Sequence, residues 1–426
     1  VPALSLRQIS LVPSSPPPLN AGFFQGWVVV AAAFSVLFLA YGLQFSYGVF
    51  VTPMAEELGW TRADTALPYS VYVFGYSVLS AVTGRATDRF GPRAVIACGA
   101  GLLGIGWGLR ALVTTRWQLL LSLGVVASFG MSVAWVPCNA TVARWFTRRR
   151  GFAVALASSG TSFGNFLVPS LAAAAVAAYG WRATLGGMAA IAALLILVAA
   201  RFMARDPESV GLWPDGDPAP LQSSPVVTGM TVREALWTEP FLLLIGIYLL
   251  TWLVVFVPFV HAAAYAEDLG FGKVAAASVL SAIGIGGVAG RLMSGVLSDR
   301  LGQFPALIGI FALQTLSFLL FTYAHSLLWL WLAAAVFGFS YGGGVTVVAP
   351  ICSVLFGRAH VASVVGALFA IAASPAALGP WLAGWLHDTT GEYDTAFLLS
   401  AGVNALALVL SVVLAVRQAT RITQGV

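Results

Sequence analysis

Charge is what this chain has least of. Asp, Glu, Lys and Arg make up 9% of its 426 residues, against 59% hydrophobic residues and a mean hydropathy of +0.90. A soluble domain of this size would lack the polar surface to face water, which argues against a soluble enzyme. Cysteine is scarce too. Cys98, Cys138 and Cys352 all lie inside apolar runs without metal-ligand spacing, so no disulfide framework and no metal site is expected. The glycine-rich run Gly284-x-Gly286-Gly287-x-x-Gly290 sits within an apolar stretch with no strand before it. It suits close helix packing, not a nucleotide. With no ATP-binding loop, no cofactor is expected. Residues 1–22 are polar and proline-rich and lack the basic and apolar regions of a cleaved signal, so they are read as a disordered tail.

Long apolar runs fill the rest. Twelve stretches, near 26–53, 64–84, 94–113, 118–142, 151–175, 183–204, 240–264, 274–297, 304–323, 327–350, 361–386 and 394–416, are long enough to cross about 30 Å of hydrocarbon as helices. The expected fold class is an all-α polytopic membrane protein. Its organisation is a tail (1–22), a six-helix bundle (23–204), a linker (205–239), a second bundle (240–416) and a tail (417–426). The linker carries Pro207, Pro214, Pro218, Pro220 and Pro225 among acidic residues and is too short and polar to bury a core. A short helix is expected around 230–237.

The basic residues orient the chain. With both termini in the cytoplasm, inner loops and tails collect fifteen of the 21 Lys and Arg, and the outer side receives Arg62, Arg110, Arg116, Arg182 and Lys273. This asymmetry accounts for the pI of 9.3 through topology, with no nucleic-acid partner.

The halves repeat. Gly84-Arg85-Ala86-Thr87-Asp88-Arg89-Phe90-Gly91-Pro92-Arg93 returns as Gly295-Val296-Leu297-Ser298-Asp299-Arg300-Leu301-Gly302, 211 residues on. Phe146-Thr147-Arg148 returns as Phe356-Gly357-Arg358. Such parallel duplications are typical of transporters with a substrate site near mid-membrane between the halves. The glycines permit a tight turn and close helix approach. Asp88 can accept hydrogen bonds from arginines and a helix N-terminus. Gly84, Asp88, Arg89, Gly91, Arg93, Asp299 and Arg300 are therefore assigned to gating, as a charged latch between the halves.

This loop resembles the signature of the major facilitator superfamily, and the resemblance covers nearly the whole chain. Gln25-Gly26-Trp27, the run Arg144-Trp145-Phe146-x-x-Arg149-Arg150-Gly151, and Tyr179-Gly180-Trp181-Arg182 are similar to monocarboxylate transporters. Pro207-Glu208-x-x-Gly211-Leu212-x-Pro214-Asp215-Gly216 is similar to bacterial relatives that include oxalate/formate exchangers. The resemblance implies two six-helix bundles around a central cavity in the cell (inner) membrane, working as a monomer. It also implies symport of a small monocarboxylate, such as L-lactate or pyruvate, with a proton. An organic-anion exchanger and an efflux carrier for apolar compounds remain open; the fifth span lacks the Gly-Pro-x-x-Gly-Gly end of many drug/proton antiporters.

One cation lies within a span. Arg291 is eight residues before Asp299, roughly 12 Å from the span end. Its planar fork suits a carboxylate, and the resemblance gives an eighth-span arginine that role. The bland reading is a side chain that snorkels to the interface. In the resembling family an aspartate often precedes the arginine by one turn, where this chain has Gly287. Dicarboxylate exchangers keep a lysine in span eleven, where this chain has no basic residue, and one fixed charge suits one carboxylate. No Asp or Glu lies in a span interior, so Asp268 and His261 are the proton-coupling candidates, with Glu267 behind them; each also reads as a span-end charge. Leu39, Tyr41, Leu156 and Tyr341, with His261, are candidate pocket residues, and each also reads as ordinary packing.

Overall fold

The computed structural model describes residues 24–60, 62–217 and 228–423; the expected tail 1–22 and the middle of the linker lie outside them. The described residues form twelve long helices. Helix α1 runs Gln25–Phe45 and resumes as Tyr47–Leu58. It is followed by α2 Arg62–Phe90, α3 Pro92–Leu109, α4 Arg116–Trp145, α5 Arg150–Tyr179 and α6 Trp181–Ala200. The second half contains α7 Glu239–Asp268, α8 Lys273–Leu301, α9 Gln303–Thr322 and α10 Leu327–Phe356. It ends with α11, Val361–Ala373 and Leu378–Thr390, and α12 Asp394–Thr423. Eleven of them are long and apolar enough to cross a membrane. The exception, α2, has 29 residues and spends its polarity on protein contacts. Ser80 donates to Gly366 O at 3.0 Å and Thr83 to Ser132 O at 2.9 Å.

Several boundaries differ from expectation. The signature residues are helical: Asp88 and Asp299 occupy the last turns of α2 and α8, and the connections shrink to Gly91 and Gly302. Both glycines have positive φ, 82° and 95°, a conformation strained for other residues. The last helix continues past 416 to Thr423 because 417–423 contains neither Gly nor Pro to stop it. Arg110, counted on the outer side, lies in the turn after α3 and is fully buried; the rings of Tyr47 and Trp107 cover it. In the linker, a four-residue helix Val232–Ala235 starts with Thr231 and Glu234 in a reciprocal cap. Those contacts hold the exposed Glu234 carboxyl below its usual range. Its two described ends dock on the repeated landmarks. Asp215 accepts from the Thr147 and Arg148 amides at 2.8 Å, and Thr228 O accepts from the Arg358 amide at 3.1 Å.

Within the halves, α8 packs along α10 and α1 along α5; between them, α5 meets α8 and α2 meets α11. These contacts run backbone to backbone through glycine. A Cβ added at Gly286, Gly290, Gly338 or Gly342 would stand 1.9–2.3 Å from a carbonyl of the facing helix. Replacing Gly290 by alanine puts a methyl 1.9 Å from Phe339 O and should cost about 1–3 kcal/mol or more by overpacking. The expected readout is a lower thermal midpoint in detergent. Gly309→Ala, with nothing within 4 Å of the new methyl, should leave it unchanged.

Burial divides the molecule by depth. The α5 residues from Arg150 to Thr161 are almost all buried, and so are α11 residues 361–368. Beyond Ser162, α5 exposes Asn165, Phe166 and Leu167 in succession, more than half the helix circumference. A single lipid-facing stripe would be narrower. The halves are closed at the arginine-rich end, and α5 becomes largely exposed beyond the level of Ser162.

Candidate functional site

That level is where Arg291 sits. It is 6% exposed, and Nη1 donates to Ser162 Oγ of α5 across the interface between the halves. The guanidinium carbon lies 5.7 Å from the centre of the Tyr341 ring. Nη1 also lies 3.6 Å from where a Cβ would stand on Gly287, one turn toward the middle of α8. The side chain therefore points away from the arginine-rich end and does not snorkel. Nε has no acceptor, and among the described residues no carboxylate pairs with the group. An arginine at such depth costs about 2.5–3.5 kcal/mol even on insertion scales. A fixed cation with spare donors, facing the seam between two bundles, has the donors to hold an anionic group by charge-assisted hydrogen bonds.

Of the expected pocket residues, the structure brings Tyr341 and Tyr41 to Arg291. Tyr41 is close enough to interact electrostatically with Arg291, Tyr76 and Tyr341. Leu39 lies two residues from Tyr41 and Leu156 six from Ser162, so at 100° per residue neither shares its neighbour's helix face. Both are half-buried, as Tyr41 and Tyr341 are. Behind Tyr341 is a void of about 10 Å³, enough for one water. Tyr248, Thr251 and Gln314 line it, and both amide atoms of Gln314 lack partners. Ser162, Tyr76 and Gln314 were not singled out from the sequence; each is an isolated polar residue in an apolar run.

His261 and Asp268 are brought to each other, not to Arg291. The His261 ring nitrogens face Tyr393 Oη at 3.2 Å and Pro380 O at 2.9 Å. Tyr393 stacks on His387 at 4.2 Å, and His387 Nε2 pairs with Asp268 at 3.2 Å. The two candidates thus end one connected row, completed by two residues from α11 and α12. Glu267 is exposed beside it.

The gating residues divide sharply. Asp88 and Arg144 form a buried ion pair, side chains 5% and 3% exposed. Asp88 also accepts from the Ser363 amide at 2.6 Å and from its hydroxyl, at the start of α11 in the other half. Arg144 donates to Arg358 O and Ala359 O, each at 3.0 Å, and Arg358 donates back to Arg144 O. The repeat places Asp299 at the start of α5, accepting from the Gly151 and Phe152 amides at 2.7 and 2.9 Å. Each aspartate caps a helix of the opposite bundle, where an anion is favoured. Gly84 completes the contact, a Cβ there falling 2.2 Å from Ala362 O. Arg89, Arg93 and Arg300 face outward and take no part in the closure. Arg89 lies over the ring of Phe90.

This arrangement defines a polytopic membrane protein of two repeated bundles with a charge receptor at their seam. The family model described as Major Facilitator Superfamily matches residues 33–380. The chain is 30% identical to human monocarboxylate transporter 11 over 93% of its length and 84% of the relative's. It is 29% identical to rat monocarboxylate transporter 13, covering 90% and 87%. Among solved structures it resembles a major facilitator superfamily transporter, FucP, in the outward conformation, with TM-score 0.71 and 16% identity over 92% of this chain and 99% of that one. It also resembles the human organic anion transporter MFSD10, with TM-score 0.68 and 17% identity over 93% and 100%. The chain belongs to the major facilitator superfamily, in its monocarboxylate transporter branch. It is a membrane-embedded transporter of a small molecule.

Proposed function

We propose that the protein moves a small monocarboxylate of the lactate or pyruvate class together with a proton, by alternating access. In this reading it works as a monomer in the cell membrane, with the arginine-rich end and both termini in the cytoplasm. The observation that carries the reading is Arg291, a buried guanidinium with spare donors, no resident carboxylate and a tyrosine ring over it. One fixed charge takes one carboxylate, and Tyr41 and Tyr341 offer hydroxyls for a 2-hydroxy or 2-oxo group and rings for a methyl. The names of its relatives point the same way. Ion pairs and helix caps that close the halves at one end suit a cycle in which that closure opens. The row His261–Tyr393–His387–Asp268 joins two imidazoles and a carboxylate, the candidate carriers of the proton.

The test is uptake of radiolabelled L-lactate by proteoliposomes. An inward proton gradient should drive accumulation above the external concentration, and a protonophore should collapse it. Anion exchange is the second reading, because Gly287 leaves Arg291 without a titratable neighbour on its own helix. It predicts uptake that needs an internal carboxylate and ignores the protonophore.

A further inference from the structure

At the other end of the N-terminal half, Arg110 opens the single turn Arg110–Leu112 that follows α3. It is 0% exposed. Its guanidinium carbon lies 4.4 Å from the centre of the Trp107 ring and 4.8 Å from that of Tyr47. None of its three nitrogens has an acceptor, and beside it the Trp107 indole N–H faces the Tyr72 hydroxyl. Of the acids at this end, Glu56 is exposed, and Glu57 and Asp64 are engaged elsewhere. Glu57 accepts from Trp181 at 2.6 Å and from Arg182 at 3.0 Å, and Asp64 pairs with Arg116 at 3.0 Å. The cluster therefore holds a fixed positive charge with no acceptor among the described residues, and a phenol whose O–H is free to turn toward a ligand.

Aromatic faces return only part of what a cation loses on leaving water, and a buried ion without a counter-charge stays costly. A small anion corrects the imbalance at once, since it accepts from the guanidinium and the phenol together. We infer that Arg110, Trp107 and Tyr72 form a binding site for one small monovalent anion, chloride or a free carboxylate, separate from Arg291. Tyr47 is the first residue after the interruption of α1 at Ser46 and one wall of the clamp. Motion of the segment Tyr47–Leu58 about that interruption is the route in and out. Tyr47, Tyr69, Tyr72 and Tyr76 continue from the clamp as a row with ring centres 4.6, 5.8 and 5.4 Å apart. Tyr41 links the row to Arg291. The anion site does not depend on which substrate the protein carries.

The experiment uses the purified full-length protein in detergent, with chloride, bromide or acetate replacing gluconate at constant ionic strength. The thermal midpoint should rise saturably with chloride and bromide, and stay flat in Arg110→Met. A rise with acetate but not with halide, retained when Arg291 is alanine, identifies the occupant as a carboxylate. No shift beyond the gluconate control in the wild type overturns the inference, as does a shift that persists in Arg110→Met. Should that variant fail to fold, Trp107→Phe removes one donor and keeps a ring, and should raise the half-saturating halide concentration severalfold. An unchanged value there, with no anomalous bromide peak at Arg110 in crystals of the wild type, overturns the inference as well.

Discussion

Replacing Arg291 by alanine abolishes uptake in proteoliposomes while the protein still inserts and elutes like the wild type. Among the described residues the guanidinium pairs with no carboxylate, so its removal relieves a buried charge and leaves Ser162 without its partner. Folding should therefore survive. Substrate affinity should not. Truncating one member of a buried, hydrogen-bonded charge pair costs about 2–5 kcal/mol, roughly thirty- to several-thousand-fold at 1.4 kcal/mol per decade. Arg291→Lys keeps the charge but loses the fork, and should stand well below the wild type without reaching zero. Uptake that is unchanged in the alanine variant would move the carboxylate site elsewhere. The measurement is initial rate against substrate concentration, normalised to reconstituted protein.

The second large effect is expected at Asp88. Its carboxylate holds Arg144 within one half and the first turn of α11 in the other. Asp88→Ala removes both and leaves a buried guanidinium with backbone acceptors only, a defect of about 3–5 kcal/mol when a buried pair loses one member. Two states of a carrier that differ by a few kcal/mol exchange populations under such a change. Spin labels at Arg89→Cys and Arg300→Cys, both exposed and on opposite halves, should report longer distances at the arginine-rich end, together with slowed uptake. Asp299→Ala should do less, because Asp299 receives two amides and no guanidinium hydrogen bond. Equal effects at the two positions would show that capping, not the ion pair, carries the closure.

The fold was legible where it depends on composition and repetition. Apolar run lengths located the helices, and the 211-residue shift anticipated that Asp88 and Asp299 play matching parts. The same glycines and aspartates misplaced the turn. A charged run between apolar ones reads as a loop, yet α2 and α8 carry it within their last turns because the other bundle supplies partners for its polar groups. Arg291 was legible as the one cation inside a span. Ser162 beside it was not, since a serine in an apolar run looks the same whether it faces lipid, a neighbour or a ligand. The burial of Arg110 was hidden for a related reason. Charge counting along the chain has no knowledge of Tyr47, which arrives from another helix to cover it. His261 and Asp268 were named separately, and only the return of α11 and α12 joins them through His387 and Tyr393.

The glycine contact between α8 and α10 bears on how such a protein can change over time. Main chain meets main chain there, through Gly286, Gly290, Gly338 and Gly342, so there are no side chains to trade for slightly larger or smaller ones. The bearing of Arg291 is thereby welded into the scaffold and answers to a substitution all at once or not at all. The tyrosines around it belong to the other kind of surface, where one altered side chain reshapes a wall and nothing else. A lineage with this build can drift in what its walls admit by retouching them one side chain at a time, while the buried charge stays where the backbone put it.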